Sequence, residues 1–343
     1  MIQYLNCTID KECLYIDKPA SFEFSFWFYL VIFILSLTGS ILNSISIYLF
    51  NNSKDMKKKF FQLLKVFSIS SLIVSINELF LSGFYISLYT IRTRYNLDGR
   101  MLDTSYIGIT YFTYIYIGIR QIFFLYGGVL DISIVNERIQ LYNPKWKFLA
   151  KKTALQLAIY VLFFCVIFNI PTIVSKNVLS FELTLAEFNK TLTVFDYGPR
   201  KFGSQLIFEL ILNACIFIRD VVTLLLEIAF TILLIVALVN YRKQKMAVMR
   251  KHGGDQKVIY KKEDLDAVRT ALFLAFFSAL LHVFNFGTFV IYQFDTTPNK
   301  VIYVLVGMVG NFLITIRYSF NFFLFLKLNK IFKNNFLRKF CCF

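Results

Sequence analysis

Long apolar runs separated by short polar stretches dominate the chain. They cover Phe24–Phe50, Leu63–Tyr89, Tyr106–Ile134, Ala154–Val174, Ile207–Val239, Ala271–Tyr292 and Val301–Phe325. Runs of about 20 apolar residues are long enough to cross a bilayer as helices, and the fifth is long enough to project beyond it. The second and third runs hold more polar residues than a lone lipid-bathed helix carries, which predicts helices that face one another. After the last run, Phe332, Phe336 and Phe340 recur every four residues, with Lys333, Arg338 and Lys339 among them. That spacing predicts a short amphipathic helix in the plane of the membrane surface, touching lipid. The pattern therefore predicts an all-α membrane protein: a seven-transmembrane helix bundle (24–327) between an N-terminal segment (1–23) and a C-terminal amphipathic helix and tail (328–343).

Composition agrees. Of 343 residues, 57% are hydrophobic, 18% aromatic and 17% charged, and Phe alone contributes 41. A soluble fold of this size would expose large apolar patches. The formal charge of +16 suggests nucleic acid at first sight. Position argues against that, because the basic residues sit in the gaps between apolar runs. With the N-terminus placed outside, 24 Lys and Arg fall on the cytoplasmic side and 10 on the outer side. The bias of positive charge toward the cytoplasm thus predicts an extracellular N-terminus and a cytoplasmic C-terminus in the plasma membrane. No cleavable signal peptide stands out in Met1 to Glu23, so the first run is read as an uncleaved signal anchor. The acceptor motifs at Asn6 and Asn189 fall on the outer side and are candidates for glycosylation. A third such motif, at Asn51, lands in an inner loop, so chance occurrence is an equal reading.

No catalytic pattern emerges. His252 and His282 are too few for a zinc site, no Gly-rich phosphate loop is present, and no nucleophile stands beside a base at a known spacing. The reading is of a non-enzyme without cofactor or metal.

Local motifs carry a family resemblance. The inner end of the third run reads Asn136-Glu137-Arg138-Ile139, followed by Pro144. This resembles the acidic-Arg-aromatic triplet of rhodopsin-like G-protein-coupled receptors, with Ile139 replacing the aromatic. The seventh run ends Asn321-Phe322-Phe323-Leu324-Phe325, similar to the family's Asn-Pro-x-x-Tyr ending. Phe322 stands where Pro is usual and Phe325 where Tyr is usual. Gly39 and Asn43 resemble the family's Gly and Asn in the first span. Ser71 takes the place of the sodium-site Asp in the second, so no sodium site of the usual kind is expected. The sixth run lacks the Cys-Trp-x-Pro hinge, and Thr113 stands where most relatives carry a disulfide-bonded Cys. The outer cysteines Cys7 and Cys13 could pair with each other. The divergent mixture resembles the serpentine chemoreceptor families of nematodes.

The resemblance implies a chemosensory receptor that passes binding of an extracellular small ligand to a heterotrimeric G protein. Glu137, Arg138, Asn321 and Phe325 would form the activation switch and coupling site. Cys341 and Cys342 beside the amphipathic helix are palmitoylation candidates or plain free thiols. Arg120 lies 18 residues before Arg138, roughly 27 Å outward on the same helix face, at a depth where such receptors bind ligands. Glu78 is its expected counter-ion, leaving either a ligand contact or a structural ion pair. Asp220, His282 and Asn285 are further ligand candidates, although polar residues there also serve to bridge helices. A neuropeptide receptor of the same fold, and a multi-subunit ligand-gated channel or a transporter, remain as alternatives.

Overall fold

A computed structural model describes residues 19–95, 108, 110–143, 145–149, 151–185, 190–199, 206–251, 262–294 and 300–340. Helix α1 spans Pro19–Asn52, α2 Lys59–Tyr95 and α4 Ala154–Val174. Helix α3 opens as a π-helical segment, Tyr111–Tyr116, and continues as Ile117–Tyr142. Helix α5 runs through Leu206–Phe217, a π turn Ile218–Val222, and Thr223–Lys251. Helices α6 (Lys262–Phe294), α7 (Lys300–Leu328) and α8 (Lys330–Phe340) complete the bundle. Among the described residues, α1 to α5 and α7 are long and apolar enough to cross a membrane, and α6 carries a shorter apolar stretch, Val268–Phe284. The chain is thus a multi-pass membrane protein with a seven-helix bundle, as its apolar pattern predicts.

The outer faces are apolar because lipid, not water, is their solvent. Leu155, Phe163 and Phe276 are each about two-thirds exposed, a pattern that would be unstable in water. The interior is polar by contrast. Ser68, Ser70, Ser71, Ser75, Asn77, Glu78 and Ser82 of α2 are all buried against other helices. Most of these hydroxyls are satisfied within their own helix: Ser68 Oγ donates to Leu64 O, Ser71 Oγ to Phe67 O and Ser82 Oγ to Glu78 O. Such back-bonding lets a serine-rich helix sit in a medium without water.

Helix ends carry local signals. A capping box starts α4, with Thr153 Oγ1 accepting from the Gln156 amide and Gln156 Oε1 from the Thr153 amide, both at 3.2 Å. The side chain of Asn329 caps α8 by accepting from Phe332 N at 3.0 Å. Helix α3 ends at Tyr142, one residue short of the position before Pro144, where αR backbone is disfavoured.

Helix α3 threads the centre and touches α2, α4, α5 and α6. Helices α1 and α7 approach closely at Gly39, where an added Cβ would lie 2.8 Å from Ser319 Cα. Backbone cannot yield as a side-chain tip can. Gly39→Ala should therefore push the two helices apart and cost about 1–3 kcal/mol, read as a lower melting temperature of purified protein. An unchanged melting temperature would mean the helices tolerate wider spacing.

The structure adds an element the hydropathy reading did not foresee. Between α4 and α5, strands β1 (Lys176–Leu185) and β2 (Lys190–Pro199) pair antiparallel, with Lys176 opposite Pro199 and Leu185 opposite Lys190. The signal was there in Thr191-Leu192-Thr193-Val194-Phe195, a β-branched and aromatic run that alternates. Strand β1 lies next to the π-helical opening of α3, so the hairpin marks one end of the bundle. Arg138 marks the other.

The amphipathic helix is docked more firmly than a surface helix. Phe332 is fully buried between Phe50, Phe322 and Phe325, with ring centroids 5.4 to 5.7 Å apart. Phe336 meets Phe322 edge to face at 5.2 Å. This aromatic lock explains Phe322 and Phe325: α7 continues without a proline kink, and its last turns pack rings against α1 and α8.

Candidate functional site

Counting the basic residues outside the apolar runs leaves three arginines within them: Arg120, Arg219 and Arg317. A charge in a bilayer must find partners or cavity water. In the structure each arginine organises one polar nest inside the bundle.

The first nest lies toward the hairpin end. The Tyr116 hydroxyl sits 3.0 and 3.1 Å from the two oxygens of the buried Glu78 carboxylate, to which it donates, and Arg120 Nη1 donates to that hydroxyl at 3.4 Å. Arg120 Nη2 donates to Asn311 Oδ1 of α7. Glu78 and Arg120 therefore meet through Tyr116 rather than directly as expected from the sequence. One helical turn separates Tyr116 from Arg120, which puts the phenol between the charges. Around them, Tyr111 Oη donates to Asn77 Oδ1 at 3.0 Å, and Tyr29 stacks on Tyr85 at 4.0 Å.

The second nest depends on the π turn of α5. In a regular helix adjacent residues point about 100° apart, yet Arg219 and Asp220 are both buried. The wider turn lets both face inward. Arg219 Nε and Nη2 each donate to an Asp220 oxygen at 2.8 Å, and Nη1 donates to Gln121 Oε1 of α3.

The third nest, at mid-bundle, was missed in the sequence reading except for His282. Arg317 of α7 forms a fully buried ion pair with Asp131 of α3. The guanidinium also faces the rings of Phe67 and Tyr318, at 5.6 and 5.4 Å. Beside it, Ser278 Oγ of α6 donates to Glu227 Oε1 of α5, and His282 Nε2 lies 3.6 Å from the same oxygen. His282 packs on Phe124 at 4.5 Å. Gly128 makes the room: an added Cβ there would lie 2.9 Å from His282 Nε2 and 3.0 Å from Glu227 Oε1. The side chain of Asn285 is not among those described. What could have revealed this nest was the rarity of Asp131, Glu227 and Arg317 within apolar runs.

At the opposite end, Glu137 pairs with Lys59 at 3.3 Å, and the Arg138 guanidinium lies 3.9 Å from the centre of the Phe60 ring. Asn136 holds the loop after α3, accepting from Trp146 Nε1 at 2.7 Å and donating to Phe148 O at 2.9 Å. Asn321 donates to Ser71 Oγ at 2.8 Å, and Asn43 to Tyr318 O at 2.7 Å, tying α7 to α2 and α1. Phe325 lies in the aromatic lock with Phe50 and Phe332. Asn6, Cys7, Cys13, Asn189, Cys341 and Cys342 lie outside the described residues.

No family model and no curated protein sequence matches the chain. Its fold matches that of squid rhodopsin. The alignment to the crystal structure of that protein has a TM-score of 0.58, with 15% sequence identity, and covers 95% of this chain and 82% of the other. At that identity the likeness establishes the seven-helix architecture. Among the described residues no group of three or more His, Cys, Asp or Glu side chains is arranged to hold a metal ion.

Proposed function

We propose that this chain is a G-protein-coupled receptor that transmits binding of a small extracellular ligand to a heterotrimeric G protein, in a chemosensory role. One observation carries the proposal: a single central helix, α3, bears Arg120 in a polar nest near one end and Arg138 over the Phe60 ring near the other. A rigid rod of roughly 27 Å between them links two sites mechanically. The N-terminus and hairpin are then extracellular and the basic ends of α5, α6 and α8 cytoplasmic, in line with the positive-charge bias. Glu137, Arg138, Asn321 and Phe325 form the switch. Lipid surrounds the bundle. Glycans at Asn6 and Asn189, palmitoyl groups on Cys341 and Cys342, and a Cys7–Cys13 disulfide belong to the same reading.

The first nest binds the ligand through Arg120, with Glu78 as its resting partner through Tyr116. An acidic ligand competes for the guanidinium, because a carboxylate makes a stronger pair with it than a phenol or an amide oxygen does. Asp220, His282 and Asn285 contribute from the facing helices. A ligand acts here only through its preference for one bundle state.

A reporter cell carrying a promiscuous G protein, screened with small carboxylic acids, tests this. We expect agonists among the acids, and Arg120→Gln should shift their potency by at least about tenfold, the loss of one charge-assisted contact. Equal potency in the variant would remove Arg120 from the site. Ligand-evoked current that persists with G-protein signalling blocked would favour the channel alternative.

A further inference from the structure

We propose that the mid-bundle nest is a proton-binding site, in which Glu227 holds one exchangeable proton on Oε2 and releases it when α5 and α6 separate. The inference rests on counting charges and hydrogen bonds where no water competes. Asp131 and Arg317 cancel each other as a direct pair. That leaves Glu227, 1% exposed, with Ser278 as the donor to its Oε1 and no hydrogen-bond partner for its Oε2 among the described residues.

The charged and titratable groups around Glu227 come from α3, α6 and α7. Asp131 of α3 adds negative charge near Glu227, and Arg317 of α7, which offsets it, is already committed to Asp131. Tyr318 of α7 donates its hydroxyl to Phe123 O. On α6, His282 is fully buried, and neither ring nitrogen has a hydrogen-bond partner among the described residues. Its Nε2 lies 3.6 Å from Glu227 Oε1, too long for a hydrogen bond. An imidazolium would be one more buried cation, with no hydrogen-bond acceptor among the described residues. The arrangement that costs least is a neutral imidazole beside a protonated carboxyl, which makes the whole nest neutral.

Separation of α5 from α6 would wet both groups. A hydrated Glu loses its proton above about pH 4.3, and a hydrated His holds none above about pH 6.5. Above that pH, opening or unfolding the nest releases one proton, so rising pH favours the open and unfolded states by up to about tenfold per pH unit. Between those two values the hydrated His takes up the proton instead, and the dependence is flat.

Two measurements on purified protein in lipid nanodiscs test this without ligand or G protein. The infrared spectrum should contain the carbonyl stretch of a protonated carboxylic acid that Glu227→Gln abolishes. Ser278→Ala, which removes the donor to Oε1, should shift it to higher frequency. The melting midpoint of wild type should fall from about pH 6.5 to 8.5 more steeply than that of Glu227→Gln, which is neutral at every pH. A spectrum unchanged by both substitutions, or equal slopes in wild type and Glu227→Gln, would overturn the proposal.

Discussion

Arg138→Ala should leave surface expression and ligand binding nearly unchanged while ligand-stimulated G-protein activation falls by at least about tenfold, the loss of one charge-assisted contact to the partner. Arg138 is buried beside the Phe60 ring at the inner end of α3, so surface expression is read alongside signalling to separate loss of fold from loss of coupling. Its contact with Phe60 at 3.9 Å contributes about 0.5–2 kcal/mol. In the proposed receptor the same guanidinium leaves the ring when the bundle opens and meets the G protein, so its removal is felt in signalling first. Arg138→Lys should recover part of the signal, since an ammonium keeps the charge but not the planar fork. A cell reporter read beside a surface-labelling assay checks this. Full coupling by the alanine variant would end the assignment of Arg138 as the switch.

The Asp131–Arg317 pair predicts the opposite phenotype. Removing one partner strands a charge on a site that is essentially inaccessible to solvent, a cost of about 3–5 kcal/mol. That is a large share of the stability of a typical domain. Asp131→Asn alone and Arg317→Met alone should each abolish surface expression. The double variant, which leaves neither charge of this pair, should recover much of it, because replacing both partners by neutral groups is often nearly free. Surface labelling of the four genotypes decides the matter. Normal expression of either single variant would mean that the pair is wetter than its geometry suggests. In the proposed receptor Arg138 and Arg317 would separate two uses of arginine in one bundle, one moving and one holding.

Much of this was legible before any coordinates. Apolar runs read directly as helices, to the residue in the case of Ala154–Val174, because a bilayer imposes one length and one hydropathy on anything that crosses it. The serine-rich character of the second run announced a buried face, and α2 turns those serines inward. The hairpin was not read because a scan for apolar length ignores alternation. The third nest escaped because Asp131, Glu227 and Arg317 come from three helices distant in sequence. Nor could the spacing show that Tyr116 would stand between Arg120 and Glu78. That required knowing how α2 and α3 are rotated against one another.

The amino-acid sequence by itself determined how many times the chain crosses, where those crossings lie, and that arginines within the apolar runs needed partners. These are one-dimensional properties, since the cost of placing apolar groups in water or charge in lipid is incurred locally. Only the tertiary structure decided which charges meet. Partner choice depends on helix rotation and close approach, set by contacts such as Gly39 on Ser319 and Gly128 on His282 and Glu227. Those depend on packing between segments up to hundreds of residues apart, which no local pattern records.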